Sequence, residues 1–182
     1  MRHIKFIRSI LLIISAVLIT SCSNNSAMKP EDFKNKEPRL IIEEYLTGNV
    51  KAWGVLQNRS GKVTRQFSAD LNGSWDGKQL ILKEKFNWDD GEIQNREWTI
   101  NKIDENNYEG TAGDVVGKAK GFSYGPAFKF EYVLLVPVKG KEMKITFDDW
   151  IFKQDDKVAI NRATMTKFGF KVAELTVVFV KD

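Results

Sequence analysis

The chain has 182 residues, 42% of them hydrophobic and 12% aromatic, enough for one domain with a sizeable core. Its only histidine and only cysteine, His3 and Cys22, both lie near the N-terminus, so nothing downstream can supply an imidazole, a thiolate or an internal disulfide. That excludes Ser-His-Asp and Cys-His nucleophilic sites, histidine or thiolate metal sites and histidine-ligated haem from residues 23–182. The formal net charge of +4 is concentrated at the start, where Arg2, Lys5 and Arg8 account for three of the 28 basic residues. The remaining 25 against 24 acidic residues form no basic stripe, which argues against a nucleic-acid partner.

From the N-terminus, a basic start leads into the aliphatic run Ile10 to Ile19 and then into small polar residues. This is the layout of a secretory signal, and the run falls short of the roughly 20 residues a spanning helix needs. Ile19-Thr20-Ser21-Cys22 resembles the lipobox of bacterial lipoproteins. The resemblance implies cleavage after residue 21, a diacylglyceryl thioether on Cys22 and acylation of its amine. Ser23 replaces the Asp that would imply inner-membrane retention, so an outer-membrane anchor facing the periplasm is expected. The alternative is an ordinary signal peptide with an incidental cysteine. Residues 22–38, with two prolines and no periodicity, read as an acylated, flexible tether.

Residues 39–182 read as a single domain. Arg39 to Leu46 can form a short helix, and from Gly48 onward apolar residues alternate with a period near two between turn-forming clusters. Turns fix register, and register decides which side chains share a face. Asp76-Gly77 as a turn places Leu80, Leu82 and Phe86 with Gly73, Leu71 and Phe67. Asp89-Asp90-Gly91 as a three-residue loop sets Leu80 against Ile100, Leu82 against Trp98 and Glu84 against Arg96. A similar Arg59-Ser60-Gly61 loop sets Trp53 against Phe67. Lys139-Gly140 sets Val136 against Met143, Leu134 against Ile145, Tyr132 against Phe147, Phe130 against Asp149 and Phe128 against Ile151. Asp155-Asp156 sets Ile151 against Ile160 and Asp149 against Arg162, and Phe168-Gly169 sets Ile160 against Val177, Val158 against Phe179 and Arg162 against Leu175. The faces agree, which predicts an all-β fold: an antiparallel, closed or nearly closed β-barrel of eight to ten strands with a short N-terminal helix.

Two charges interrupt the inward face, Glu84 opposite Arg96 and Asp149 opposite Arg162. Such pairs either fix register structurally or form a polar anchor, in which a guanidinium holds a carboxylate or phosphate while Trp98, Phe128, Phe130 and Tyr132 contact an apolar tail. These eight residues are the candidate ligand-binding set. The glycine-rich "GTAGDVVGKAKGFSYG" lacks the GK[ST] of a phosphate loop and predicts strong curvature and close backbone approach, with Asp114 at a barrel mouth. Asp89-Asp90 and Asp155-Asp156 fall on turns and Asp148-Asp149 point to opposite faces, so no catalytic dyad, metal site or cofactor is expected. Trp150, Phe152 and Met165 fall on the face opposite the core, either exposed for a partner or covered by the N-terminal helix.

The segments "GNVKAWGVLQNRSGKV", "LILKEKFNWDDG", "NREWTI", "GTAGDVVGKAKG", "FDDWIF" and "NRATMTKFGF" resemble a proteobacterial family of lipoproteins of unknown function grouped with lipocalin-like barrels. The resemblance implies a lipocalin-like (calycin-type) β-barrel and carries no activity or functional residues. Lipocalins pair a Gly-x-Trp on the first strand with an arginine near the last; Trp53 is the expected counterpart, although the literal Gly73-Ser74-Trp75 lies on the second strand. The expected function is therefore noncatalytic binding or carriage of a small apolar or amphipathic ligand, of fatty-acid or phospholipid type, by a lipid-anchored envelope protein. An envelope scaffold with a filled barrel is the alternative. An enzyme would have to work with Glu84, Asp114 or Asp149 alone.

Overall fold

The computed structural model describes residues 27–138 and 140–182. The signal segment, Cys22, the first part of the expected tether and Lys139 lie outside the described residues. After a short 3-10 helix at Pro30–Phe33 and the helix α1 at Ile42–Leu46, the chain runs through ten strands. They are β1 Gly48–Asn58, β2 Val63–Trp75, β3 Gln79–Trp88, β4 Ile93–Lys102, β5 Asn107–Thr111, β6 Ala119–Tyr124, β7 Ala127–Val138, β8 Lys141–Lys153, β9 Val158–Lys167 and β10 Phe170–Lys181. Each pairs antiparallel with its neighbour in sequence, and β1 also pairs with β10. Closure leaves no edge strand to template aggregation.

Local chemistry explains the turns. Asn58, Asp76, Asp104 and Asp155 each accept backbone N–H bonds from residues two to four positions on, which makes the bend locally self-sufficient. Gly91 (φ 87°) occupies the left-handed position of the Asp89-Asp90-Gly91 loop, and the three pairs expected from that loop form as expected. All five expected β7–β8 pairs form too, around a turn of which only Gly140 is described. The β2–β3 turn is centred one residue later than expected, at Gly77-Lys78, a shift of two in register that preserves the face.

Two registers differ by one residue. The β8–β9 connection is a three-residue loop, Asp155-Asp156-Lys157, closed by Gln154 and Val158 and held by the Asp155 carboxylate. Ile151 therefore faces Asn161, Asp149 faces Ala163, and Arg162 lies opposite Trp150 on the outer surface. At the far side of β9 the Phe168-Gly169 turn forms as expected. A bulge at Val172 then shifts the ladder, so that Val177 faces Asn161, Leu175 faces Ala163 and Phe179 faces Ala159. The two shifts cancel for β10, which keeps its expected face, and invert β9. The small inward residues Ala159, Asn161 and Ala163 are almost fully buried against larger side chains of the neighbouring strands. On β2, a bulge at Thr64, opposite the Leu56–Gln57 step of β1, places Gly54 opposite Phe67 and turns Trp53 outward, half exposed, so Trp53 does not fill the lipocalin position. A side chain at 54 would meet the Phe67 ring, since an added Cβ would lie 2.4 Å from it.

One end of the barrel is plugged. Leu40, Ile42, Tyr45 and Leu46 from α1 and its approach are buried against the core. Glu43, also buried, is satisfied by Lys102 and by the Tyr108 hydroxyl, which donates at 2.9 Å. The plug sits so close that a Cβ on Gly73 would lie 1.9 Å from the Leu46 carbonyl oxygen. The described part of the expected tether packs on the wall at this end. Pro30 is buried, and the Phe33 ring lies 5.9 Å from Trp150 and 5.4 Å from Phe152. Those two aromatics are thus covered from outside, while Met165 points into the barrel and packs on the core.

Gly73→Ala is expected to lower the unfolding free energy by about 2 kcal/mol or more, because backbone on backbone cannot yield. Gly113→Ala, where a Cβ would meet nothing within 4 Å, should stay within about 0.5 kcal/mol of the wild type. Urea titration of both variants measures the difference.

Candidate functional site

Above the plug the barrel holds a cavity of about 280 Å³ that opens at the end formed by the β1–β2, β3–β4, β7–β8 and β9–β10 hairpins. Its size is just below the roughly 300 Å³ at which small-molecule pockets begin. Seven of the eight expected ligand-binding residues line it: Glu84, Arg96, Trp98, Phe128, Phe130, Tyr132 and Asp149. The eighth, Arg162, does not. Its side chain is largely exposed on the outer wall, 3.4 Å from Glu174, because the three-residue loop before β9 inverts that strand.

The aromatics form a connected cluster along the inner wall. Phe128, Phe130, Tyr132 and Trp98 stand with ring centroids 5.1–5.6 Å apart, and Tyr132 stacks on Phe147 at 5.0 Å. The glycine-rich segment makes room for them. A Cβ on Gly110 would lie 2.4 Å from Phe130, and one on Gly121 would lie 2.9 Å from Phe128. The expectation of close backbone approach holds, and its purpose is to admit rings into the lower barrel.

A set of polar groups shares the cavity wall with them. Arg96 donates from Nε and Nη2 to Asp114 at 3.0 and 2.8 Å, while its Nη1 stands 3.7 Å from Glu84 Oε2, too far for a hydrogen bond. Glu84 Oε2 is buried and accepts no hydrogen bond. Across the cavity Asp149 accepts from the Tyr132 hydroxyl at 2.8 Å and from the Asn161 amide. Near the mouth Arg65 bridges Asp90 and Glu92 at 2.7 and 2.9 Å and lies over the Trp88 ring. The lining therefore carries four carboxylates, Glu84, Glu92, Asp114 and Asp149, against two guanidiniums, Arg65 and Arg96.

Asp114 and Asn161 are the polar partners that sequence reasoning left unassigned or on the wrong face. Asp114 belongs to the loop 112–118, which hydrogen-bonds along β7 through Val116 N to Val133 O (2.8 Å) and Leu135 N to Asp114 O (2.9 Å). β5 and β6 are short, so this loop completes the wall between the mouth-side halves of β4 and β7, and the Arg96–Asp114 pair fastens it to β4. The signal for Asn161 was available in Asp155: treating it like Asp89, as the first residue of a three-residue loop, gives the observed face.

Burial dominates the electrostatics. It raises the Glu84 carboxyl from its ordinary 4.5 to about 7; Arg96 opposes the shift, and Asp149 and Asp114 add to it. Burial also raises Asp149, against the hydrogen bonds from Tyr132 and Asn161. Arg96 pays for its burial through Glu84 and Asp114, which more than offset it and hold the guanidinium protonated. Between pH 4.5 and 7 the folded chain keeps a proton on Glu84 that the unfolded chain has released. The associated stability is complete below the lower value and is lost as pH rises through the upper one. Denaturation between about pH 5 and about pH 8 should show the wild type losing up to about 3 kcal/mol more than Glu84→Gln. Parallel pH profiles would contradict the burial of an ionisable carboxyl there.

Among solved structures the fold is similar to an S-type phycobiliprotein lyase, CPES, from Guillardia theta (TM-score 0.58, 10% identity, 77% of this chain and 90% of that one). It is also similar to a protein of unknown function from the DUF3598 family of Nostoc punctiforme (TM-score 0.60, 14% identity, 81% of this chain), of which the chain spans about half, 51%. At these identities the likeness is one of fold, and it places the barrel among lipocalin-like ones. No curated protein matches the sequence. A family model described as "Protein of unknown function (DUF3833)" matches residues 16–181, and the chain belongs to that family.

Proposed function

We propose that this protein is a noncatalytic, lipid-anchored binding barrel that holds one small amphipathic molecule, with its apolar body against the aromatic cluster and its polar end at Glu84. The observation that carries the reading is the unpartnered Glu84 Oε2, buried at the wall of an apolar cavity that opens to one side. A buried carboxylate oxygen without a donor costs free energy that a guest's N–H or ammonium group would recover. The expected fatty-acid or phospholipid head group fits this interior poorly. Arg162 is outside, Arg96 already gives two hydrogen bonds to Asp114, and an anion would sit beside Glu84 in a lining with excess negative charge. A polar end that donates hydrogen bonds or carries positive charge matches the site. The scaffold alternative loses the outer patch expected for it, since Trp150 and Phe152 pack under Phe33 and Met165 points inward.

The lipobox-like Ile19-Thr20-Ser21-Cys22 supports an outer-membrane anchor facing the periplasm. Labelled palmitate should enter the wild-type chain in a bacterial host and should not enter Cys22→Ser.

Calorimetry with chain-matched decylamine and decanoate tests the pocket. Decylamine should bind at least about ten-fold more tightly, and this preference should grow from about pH 6 to about pH 8 as Glu84 ionises while the amine stays protonated. Glu84→Gln should remove the preference and leave apolar binding in place. Equal affinity for both amphipaths would overturn the assigned polar end; binding of neither would overturn the carrier.

A further inference from the structure

The β9–β10 hairpin tip at the cavity mouth carries the two most exposed large apolar side chains of the described residues. Phe168 and Phe170, on the β9–β10 tip, are 89% and 77% exposed. Val63 on the β1–β2 tip, Val138 on the β7–β8 tip and Ile93 on the β3–β4 tip are exposed as well. Phe168 also sits at φ 51°, a left-handed conformation that a bulky side chain adopts at a cost and that glycine or asparagine would take more readily. No packing explains it, because the ring points into solvent and its near neighbour is the Lys167 ammonium at 5.3 Å.

Charge on the rim is divided. Since β8 pairs with β9 and β10 with β1, the β7–β8, β9–β10 and β1–β2 tips are neighbours. They carry Lys141, Lys167, Lys171, Arg59 and Lys62, with Glu142 as the carboxylate among them and with Lys171 reaching Glu174 lower on the wall at 3.1 Å. The acidic cluster Asp89, Asp90 and Glu92 is confined to the β3–β4 tip, where Arg65 neutralises part of it. A crescent of protruding aromatic and aliphatic tips between cations, on the rim of an apolar cavity, is the chemistry that inserts into an anionic bilayer interface.

We infer that the basic crescent of the mouth docks on anionic phospholipid, with Phe168 and Phe170 entering the interface. The mouth then faces the membrane and a guest can cross from bilayer to cavity without traversing water. Protruding single side chains suit a fluid surface better than the flat patch a folded partner would need. This inference stands whether or not the cavity binds the proposed guest, because it is read out on vesicles.

The test uses residues 27–182, which contain the closed barrel wall and its buried core, and omits the apolar N-terminal run, which would itself bind lipid. In cosedimentation, the protein should partition onto equimolar phosphatidylcholine–phosphatidylglycerol vesicles and weaken on phosphatidylcholine alone and in high salt. Lys62→Glu with Lys167→Glu should lower the partition coefficient at least about ten-fold. Phe168→Gly should lower it by about the same factor while raising the thermal midpoint by roughly 2–4 °C, since it relieves the backbone without touching the core. Absence of binding to the anionic vesicles, or binding indifferent to these substitutions, would overturn the inference. Retention on immobilised polyglutamate with none on vesicles would do the same and assign the crescent to an acidic polypeptide.

Discussion

Arg96 is the charge around which the barrel interior is arranged. Its two bonds to Asp114 fasten the loop 112–118 to β4 and so complete the wall where β5 and β6 stop short. Its remaining nitrogen partly offsets the burial of Glu84 without hydrogen-bonding to it. Removing the guanidinium would leave two carboxylates at the cavity wall without their counter-ion, the situation that makes broken buried pairs far more costly than absent ones. A guest's anionic group would have to take Arg96 from Asp114, which would loosen the wall. The interior's excess of carboxylates therefore follows from its construction, and the polar preference of the pocket follows from that excess.

The two ends of the barrel are built on opposite principles. At the plugged end the buried polar side chains are paired, Glu43 with Lys102 and Tyr108 and the Ser123 hydroxyl with the Leu40 carbonyl, and the backbone of α1 approaches Gly73 so closely that no side chain fits between. At the open end, the cavity wall keeps an unpartnered carboxylate oxygen, the rim keeps exposed aromatics and one phenylalanine sits in a disfavoured backbone conformation. Stability is concentrated at one end and unsatisfied chemistry at the other, the division expected of a scaffold that carries a site. The aromatic cluster lines the cavity between the two ends, and Ile42 and Leu46 of the plug close its bottom.

Most of the architecture was legible from turns and alternation. The Asp89-Asp90-Gly91 loop and the tight β7–β8 turn fixed the faces of β3, β4, β7 and β8, and with them Glu84, Arg96, Phe128, Phe130, Tyr132 and Asp149. What failed was one loop length and two bulges. β9 offers a larger, β-branched outer set, Val158 and Ile160, against a smaller inner set, Ala159, Asn161 and Ala163. The assumed two-residue turn, in agreement with hydropathy, chose the wrong one, because small residues are buried where neighbouring strands supply the bulk. Bulges such as those at Thr64 and Val172 leave no mark in a binary pattern, and they moved Trp53 outward and kept β10 in phase. Asp114 was placed near the mouth, but the span of its loop across the wall depends on how far β5 and β6 extend, which alternation over so few residues does not specify.

The central claim is that the barrel cavity holds a guest. Native mass spectrometry of residues 27–182, expressed in a bacterial envelope, purified without detergent and followed by solvent extraction, tests it most directly. The account predicts one guest per chain, released on unfolding, with an apolar body and a hydrogen-bond-donating or cationic group. A guest-free mass that persists after incubation with envelope lipid extract would contradict it and leave the barrel a filled scaffold working through its rim.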